Sequence, residues 1–92
     1  MEQEGFEIGR IVEATAGRER GKLFMIVGII DENYVWIVNG KNRTLAKPKK
    51  KKIKHLKSMG ALDWKIRKKI LNGDQVFDSE IRKILETLGY NN

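Results

Sequence analysis

The chain has 92 residues, enough for one small domain with a modest hydrophobic core. It contains no cysteine, which excludes disulfides and cysteine-ligated zinc, and no apolar run approaches the roughly 20 residues of a membrane span. The formal net charge is +7, and residues 41–57 carry nine basic and no acidic side chains, whereas the other residues are close to balanced. This localised charge predicts a polyanionic partner, of which nucleic acid is the commonest.

The first half of the chain has the pattern of short β-strands. The segment "IGRIVEAT" is rich in branched residues, and "KLFMIVGII" is a nearly continuous apolar run. The polar turn "DEN" precedes a third strand, "YVWIVN", which ends in the turn dipeptide Asn39-Gly40. A final short strand is predicted over residues 52–56. Short sequential strands separated by turns predict a small antiparallel barrel.

From residue 61 onward the periodicity becomes helical. Asp63 is the predicted N-cap of a helix through Leu71 that stops at Gly73, and Asp78 is the predicted N-cap of a second helix that stops at Gly89. Apolar residues recur in the second helix at intervals of three and four: Ile81, Ile84, Leu85 and Leu88. This stripe indicates that the helices either cover an open part of the barrel or dock onto a partner.

The predicted domain organisation is a barrel over residues 1–57 and a helical cap over residues 58–92. Trp64, at the start of the first helix, is predicted to anchor the cap on the barrel. The basic residues of that helix either extend the basic surface or form its solvated face; they are Lys65, Arg67, Lys68 and Lys69.

The segment "AGRERGK" predicts a tight loop between the first two strands, bounded by Gly17 and Gly21. Gly21 stands where the chain re-enters the sheet, a position that favours the backbone angles open to glycine. Arg18, Arg20 and Lys22 project from the loop or its edge. Arginine suits phosphate because its planar fork donates two parallel hydrogen bonds.

The segments "GRIVEATAGRERGK", "VGIIDENYVWI" and "IKHL", in this order, resemble the KOW motif, a strand, glycine-centred loop and strand within an SH3-like barrel. The sequence is similar to the archaeal and eukaryotic large-subunit ribosomal protein of the L-fourteen-e type and to small KOW-domain relatives in bacteria. The resemblance covers residues 8–56 and leaves out residues 61–92. It implies an RNA-binding barrel with contacts from the glycine-centred loop, carried here by Arg18, Arg20, Gly21 and Lys22.

The basic stretch is predicted to be a loop anchored between the Asn39-Gly40 turn and the last strand, close to the glycine-centred loop. It is either an RNA-contacting loop that orders on binding or a solvated loop that aids solubility. Its candidate RNA-binding residues are Lys41, Arg43, Lys47, Lys49, Lys50, Lys51, Lys52 and Lys54.

Three further side chains have open interpretations. Tyr34 and Trp36 alternate on one strand and so share a face of the sheet. In so small a barrel such residues more often fill the core or pack under the helices, and the alternative is that they stack RNA bases. His55 is, by the resemblance, a structural residue or an RNA contact.

No carboxylate pair, nucleophile–base pair or nucleotide-binding loop appears in the sequence, so we expect no enzyme, cofactor or metal site. We predict a monomeric cytoplasmic protein that binds ribosomal RNA, with the large ribosomal subunit as its partner and no membrane contact. The alternative is a protein-interaction module of a transcription or translation factor that contacts polymerase or another factor.

Overall fold

The computed structural model describes residues 2–88 and contains one antiparallel sheet followed by two helices. The strands stand in the order β4-β3-β2-β1-β5, and a short 3-10 helix over Ile53–His55 joins β4 to β5. The predicted fold, a small SH3-like antiparallel barrel with two C-terminal helices, is confirmed. Its elements are β1 Arg10–Ala14, β2 Leu23–Ile29, β3 Tyr34–Val38, β4 Lys49–Lys52, β5 Leu56–Leu62, α1 Trp64–Asn72 and α2 Asp78–Thr87.

The central strands are buried on both faces, which explains the continuous apolar run of β2. Alternate side chains of β1, β2 and β3 fill the barrel interior; they include Val12, Phe24, Ile26, Val35 and Ile37. The intervening side chains form a second cluster on the outer face, which the helices cover; it contains Ile11, Leu23, Met25, Val38, Ile66, Ile81 and Leu85. The helices therefore pack against the sheet, and the expectation that they cover part of the barrel is confirmed.

Helix α1 begins and ends as predicted. The Asp63 carboxylate accepts a hydrogen bond from the backbone N–H of Ile66 (2.9 Å), and Gly73 ends the helix with a φ of 77°. Trp64, however, is 70% exposed and does not anchor the helix, so that prediction is wrong.

Helix α2 begins one residue before its predicted start. Asp78 is the first residue of the helix and not its N-cap, which is Phe77, and the Asp78 carboxylate accepts the N–H of Leu45 in the β3–β4 connection (2.8 Å). The Glu80 carboxylate instead accepts the N–H of Phe77, the residue before the helix (2.9 Å). Ile81 and Leu85 are buried, as the apolar stripe predicts. The predicted stop at Gly89 lies outside the described residues.

The region around the lysine run differs from its prediction. The four lysines at 49–52 form strand β4, which pairs with β3 from Ile37↔Lys49 to Tyr34↔Lys52. The strand predicted over residues 52–56 is wrong, because that segment leaves β4 through the 3-10 helix. Strand β5 begins at Leu56 and pairs with β1. The domain division at residue 58 stays a prediction, and β5 runs across that position.

Candidate nucleic-acid interface

Four side chains, Tyr34, Trp36, Lys50 and Lys52, share the outer face of β3 and β4. The register places Tyr34 opposite Lys52 and Trp36 opposite Lys50, so all four point to the same side of the sheet. The Lys50 ammonium lies 4.6 Å from the centroid of the Tyr34 ring, and the Lys52 ammonium lies 5.6 Å from it. The tyrosine ring thus holds two positive charges on this face through cation–π attraction.

Trp36 lies on this outer face and is 38% exposed, whereas its neighbours Val35 and Ile37 are fully buried in the barrel. The indole packs over Gly28 of β2, since a Cβ placed on Gly28 would come within 3.0 Å of Trp36 Cδ1. Glycine in a strand interior often marks such a close approach. The expectation that Tyr34 and Trp36 fill the core is therefore wrong.

The other two lysines of β4, Lys49 and Lys51, lie on the opposite side of the strand. Lys51 reaches across to the glycine-centred loop, where its Nζ donates to the carbonyl of Ala16 (3.3 Å) and lies 3.8 Å from the position of a Cβ on Gly17. The prediction that the lysine run lies close to the loop is confirmed, although the run is a strand and not the mobile loop that we expected. Lysine at a sheet edge also discourages pairing with other chains.

The glycine-centred loop has the predicted geometry. Gly21 has a φ of 87°, a value that other residues rarely adopt, and its N–H donates to the carbonyl of Ala14 (2.7 Å). The N–H of Ala14 in turn donates to the carbonyl of Lys22 (3.0 Å). Arg18, Arg20 and Lys22 are exposed, so the loop presents three cations to solvent.

A buried carboxylate in the same loop was missed by sequence reasoning. Glu19 is only 8% exposed, and its carboxylate accepts a hydrogen bond from Arg43 Nε (3.1 Å). This ion pair ties the glycine-centred loop to the β3–β4 connection. Arg43 therefore acts in holding the two segments together. The signal in the sequence was the single acidic residue inside "GRERGK".

The β3–β4 connection is organised by Asn39, which is buried. Its side-chain oxygen accepts the N–H groups of Lys41 (2.9 Å) and Arg43 (3.1 Å), and its amide nitrogen donates to Asn42 (2.8 Å). The tight turn predicted at Asn39-Gly40 is present, with a φ of 77° at Gly40. Lys41 and Lys47 are exposed in this connection, and Lys54 is exposed on the 3-10 helix.

The basic residues of α1 divide into two kinds. Arg67 makes a bidentate ion pair with Glu2 (2.6 and 2.9 Å), which lowers the pKa of the Glu2 carboxyl and raises that of Arg67. Lys69 pairs with Glu80 (2.8 Å), which lowers the pKa of Glu80. Lys65 and Lys68 are exposed. Half of this positive charge is thus compensated within the domain.

Other classes of site have little support in the part of the chain that the structure describes. Among residues 2–88, no group of three histidine or acidic side chains is placed to hold a metal ion. No helix in that range is long and apolar enough to cross a membrane. His55 is half-buried, and its carbonyl accepts the N–H of Thr15 (2.9 Å), which connects the 3-10 helix to the end of β1.

No family model matches the chain. Curated proteins do match it, and three of these, all archaeal, are named large ribosomal subunit protein eL14. The chain is 41% identical over 86 residues to that of Staphylothermus marinus, an alignment that covers 84% of this chain and 90% of the relative. It is 39% identical over 83 residues to that of Aeropyrum pernix, covering 90% and 76%. It is 52% identical over 50 residues to that of Desulfurococcus amylolyticus, about half of each protein.

The longer alignments correct one expectation from the sequence. An alignment over 90% of the chain cannot leave out residues 61–92, so the helical part is included in the similarity and does not depart from the ribosomal proteins. Helices and sheet also share one hydrophobic cluster, which agrees with their being one unit of sequence similarity. The identity over most of both proteins establishes that the chain belongs to the family of large ribosomal subunit protein eL14.

Proposed function

We propose that this protein binds ribosomal RNA as a component of the large ribosomal subunit, by contacts between its basic surface and RNA phosphates. The observation that carries the proposal is the membership in a ribosomal-protein family, joined to a cationic strand held beside a cationic loop. Membership in this family makes the chain a binding protein and not an enzyme. We propose that the protein acts in the cytoplasm, where ribosomes translate.

The geometry suits capture of a polyanion. Strand β4 fixes its lysines by backbone pairing to β3, and the hydrogen bond from Lys51 to Ala16 holds the glycine-centred loop next to it. A backbone that is already positioned in this way lowers the entropic cost of binding. Arginines of the loop are suited to bidentate phosphate contacts, and the lysines to single ones.

The proposed phosphate contacts follow from exposure. The exposed members of the candidate RNA-binding set are Arg18, Arg20, Lys22, Lys41, Lys47, Lys50 and Lys54. The half-buried Lys49, Lys51 and Lys52 add charge at the edge of the sheet, and Gly21 allows the loop its turn. Arg43, which pairs with Glu19, has a positioning role. The alternative, a protein-interaction module that contacts polymerase, has no support in the family to which the chain belongs.

The test is sedimentation of the full chain from a lysate. We expect the protein in large-subunit fractions at low salt, and its release at high salt, since phosphate contacts release counterions and weaken steeply with salt. Ribonuclease treatment should also release it. Co-purification with RNA polymerase that resists ribonuclease, with none of the protein in ribosomal fractions, would refute the proposal.

A further inference from the structure

We infer that Trp36 is a platform on which an unpaired RNA base stacks, with Lys50 and Lys52 binding the phosphates that flank that base. The inference rests on the proposed RNA-binding function and adds to it the kind of RNA, a single-stranded or bulged nucleotide. Phosphate contacts alone would suit duplex and single-stranded RNA alike, whereas an accessible aromatic ring selects a base that is free of its stack.

The first support is the position of the indole. Trp36 packs so closely on β2 that its Cδ1 would lie 3.0 Å from a Cβ on Gly28, and 38% of the tryptophan remains exposed. The pairing of β2 with β3 shifts register between Ile26 and Gly28, beside this contact. The backbone of β2 thus packs against one part of the Trp36 side chain, and another part stays accessible to solvent.

The second support is the arrangement of charge. Lys50 stands directly opposite Trp36 in the register, and Lys52 follows on the same face. The Tyr34 ring lies within cation–π distance of both ammonium groups, at 4.6 and 5.6 Å, so it holds them on the face that Trp36 shares. An aromatic ring with cations beside it is the combination that single-stranded nucleic acids bind, since bases stack and phosphates pair at once.

The third support is that the helices leave this part of the face open. They bury the same face of the sheet at Val38, two positions along β3 from Trp36, but Trp36 lies outside the cluster that they form. A protein partner on this patch would have to desolvate Lys50 and Lys52, which is costly unless it supplies carboxylates. A nucleotide offers both a flat apolar surface and negative charge.

The test uses the fluorescence of Trp36 in a full-length Trp64→Phe variant, in which Trp36 is the only tryptophan of the chain. Trp64 is 70% exposed, so its replacement leaves the core intact. The probes are a short oligoadenylate and an inorganic polyphosphate of equal charge. We expect oligoadenylate to quench Trp36 at saturation and polyphosphate to bind without quenching. Equal quenching of Trp36 by both probes, or no quenching by bound oligoadenylate, would show that Trp36 does not stack on a base.

A second measurement compares variants at the tryptophan itself. Trp36→Ala should weaken oligoadenylate binding by on the order of tenfold and leave polyphosphate binding unchanged, because stacking contributes only with a base. Trp36→Phe should recover much of the loss. An equal loss for both probes would mean that the substitution acts through the fold or the charge, and would overturn the platform.

The failure of this inference and that of the proposed function are distinguishable. If ribosomal RNA fragments bind and oligoadenylate does not, the platform is wrong and RNA binding stands. If neither RNA binds at low salt, the proposed function itself fails.

Discussion

One half of the outer face of the sheet is covered by the helices, and the other half is open to solvent. In the covered half, Ile11, Met25 and Val38 are at most 1% exposed. In the open half, Trp36 keeps 38% of its surface exposed, with lysines beside it. The halves meet within a single strand, because Val38 and Trp36 are alternate residues of β3. A two-helix cap thus covers only as much of the sheet as its apolar stripes can pack against, and the remainder is available to a partner.

The covered half also fixes the segment that leads into the basic strand. Arg82 Nη1 of α2 donates to the carbonyl of Gly40 (2.7 Å), and the Asp78 carboxylate accepts the N–H of Leu45 (2.8 Å). Helix α2 therefore holds the β3–β4 connection at two points, Gly40 and Leu45. The residues that stabilise the fold and the residues proposed to bind RNA therefore lie in different halves of one face. Helix α2 packs in the first half and contacts the segment that leads into β4.

The largest expected effect comes from removing the cap. Deleting residues 63–92 leaves all five strands intact but uncovers Ile11, Leu23, Met25 and Val38. Exposing this cluster should abolish cooperative folding, since a domain of this size has little stability to spare. Circular dichroism during thermal unfolding measures this. A truncated chain with a sharp transition near that of the parent would show that the sheet is stable without its cover.

A smaller loss is expected from a single cavity under the cap. Ile81 is fully buried, so Ile81→Ala should lower the free energy of unfolding by about 2–5 kcal/mol. Leu88 lies near the end of the same apolar stripe but is 40% exposed, and Leu88→Ala is the matched control with a smaller expected loss. Urea denaturation of both variants gives the comparison. Equal losses of unfolding free energy in the two variants would mean that Ile81 is not buried between α2 and the sheet.

Gly40 tests the link between the two halves. A Cβ at Gly40 would stand 2.4 Å from the carbonyl of Asp78, and its φ is 77°. Gly40→Ala therefore adds a clash to backbone strain and should cost about 2–4 kcal/mol. Gly21 has a similar φ of 87° with nothing within 4 Å, so Gly21→Ala isolates the strain and should cost less. The melting temperatures of the two variants give the comparison. A larger loss for Gly21→Ala than for Gly40→Ala would contradict the close contact between Gly40 and α2.

The covered half was the more predictable one, because its signals are local. The branched residues of β1, the apolar run of β2, and Asp63 with Gly73 around α1 all follow from patterns within a few residues. The glycine-centred loop was predictable for the same reason: Gly21 takes the backbone angle that its position demands.

The open half depends on contacts between distant segments, which local patterns do not contain. Four consecutive lysines have no apolar alternation, and they form a strand only because β3 pairs with them. The ion pair of Glu19 with Arg43 joins residues 24 positions apart. The exposure of Trp36 depends on where the helices end. Among the candidate site residues, the charge and the turn at Gly21 were therefore predictable, and the contacts between distant segments were not.

In the open half, the charge of two lysines should affect binding and not stability. Lys50→Gln with Lys52→Gln keeps the strand and removes two cations beside Tyr34. If both lysines contact phosphate, the slope of log affinity against log salt should fall by about 0.7–0.9 for each. Lys65→Gln with Lys68→Gln on α1 is the matched control, with the same change of charge. If the salt dependence of affinity is unchanged in the β4 double variant, or changes equally in the α1 double variant, the outer face of β3 and β4 is not the RNA-binding surface.

The smallest expected effect is the pH dependence of the covered half. The Arg67 guanidinium lowers the pKa of the Glu2 carboxyl from its ordinary value of 4.5. A carboxyl whose pKa is lower in the folded state stabilises the fold above the unfolded pKa, and this stabilisation is lost as the pH falls through the folded pKa. Since the pair is partly exposed, its contribution should be about 1 kcal/mol or less.

Glu2→Gln is the matched variant for this effect, because it keeps the shape and removes the titration. The free energy of unfolding of the parent should fall between pH 5 and pH 3 by more than that of the variant, a range that brackets the ordinary carboxyl pKa. The two should converge at the acid end, where the parent carboxyl is also neutral. RNA affinity near neutral pH should be the same for both proteins, since neither Glu2 nor Arg67 is among the proposed RNA contacts. Parallel pH profiles would mean that the bidentate pair does not form in solution.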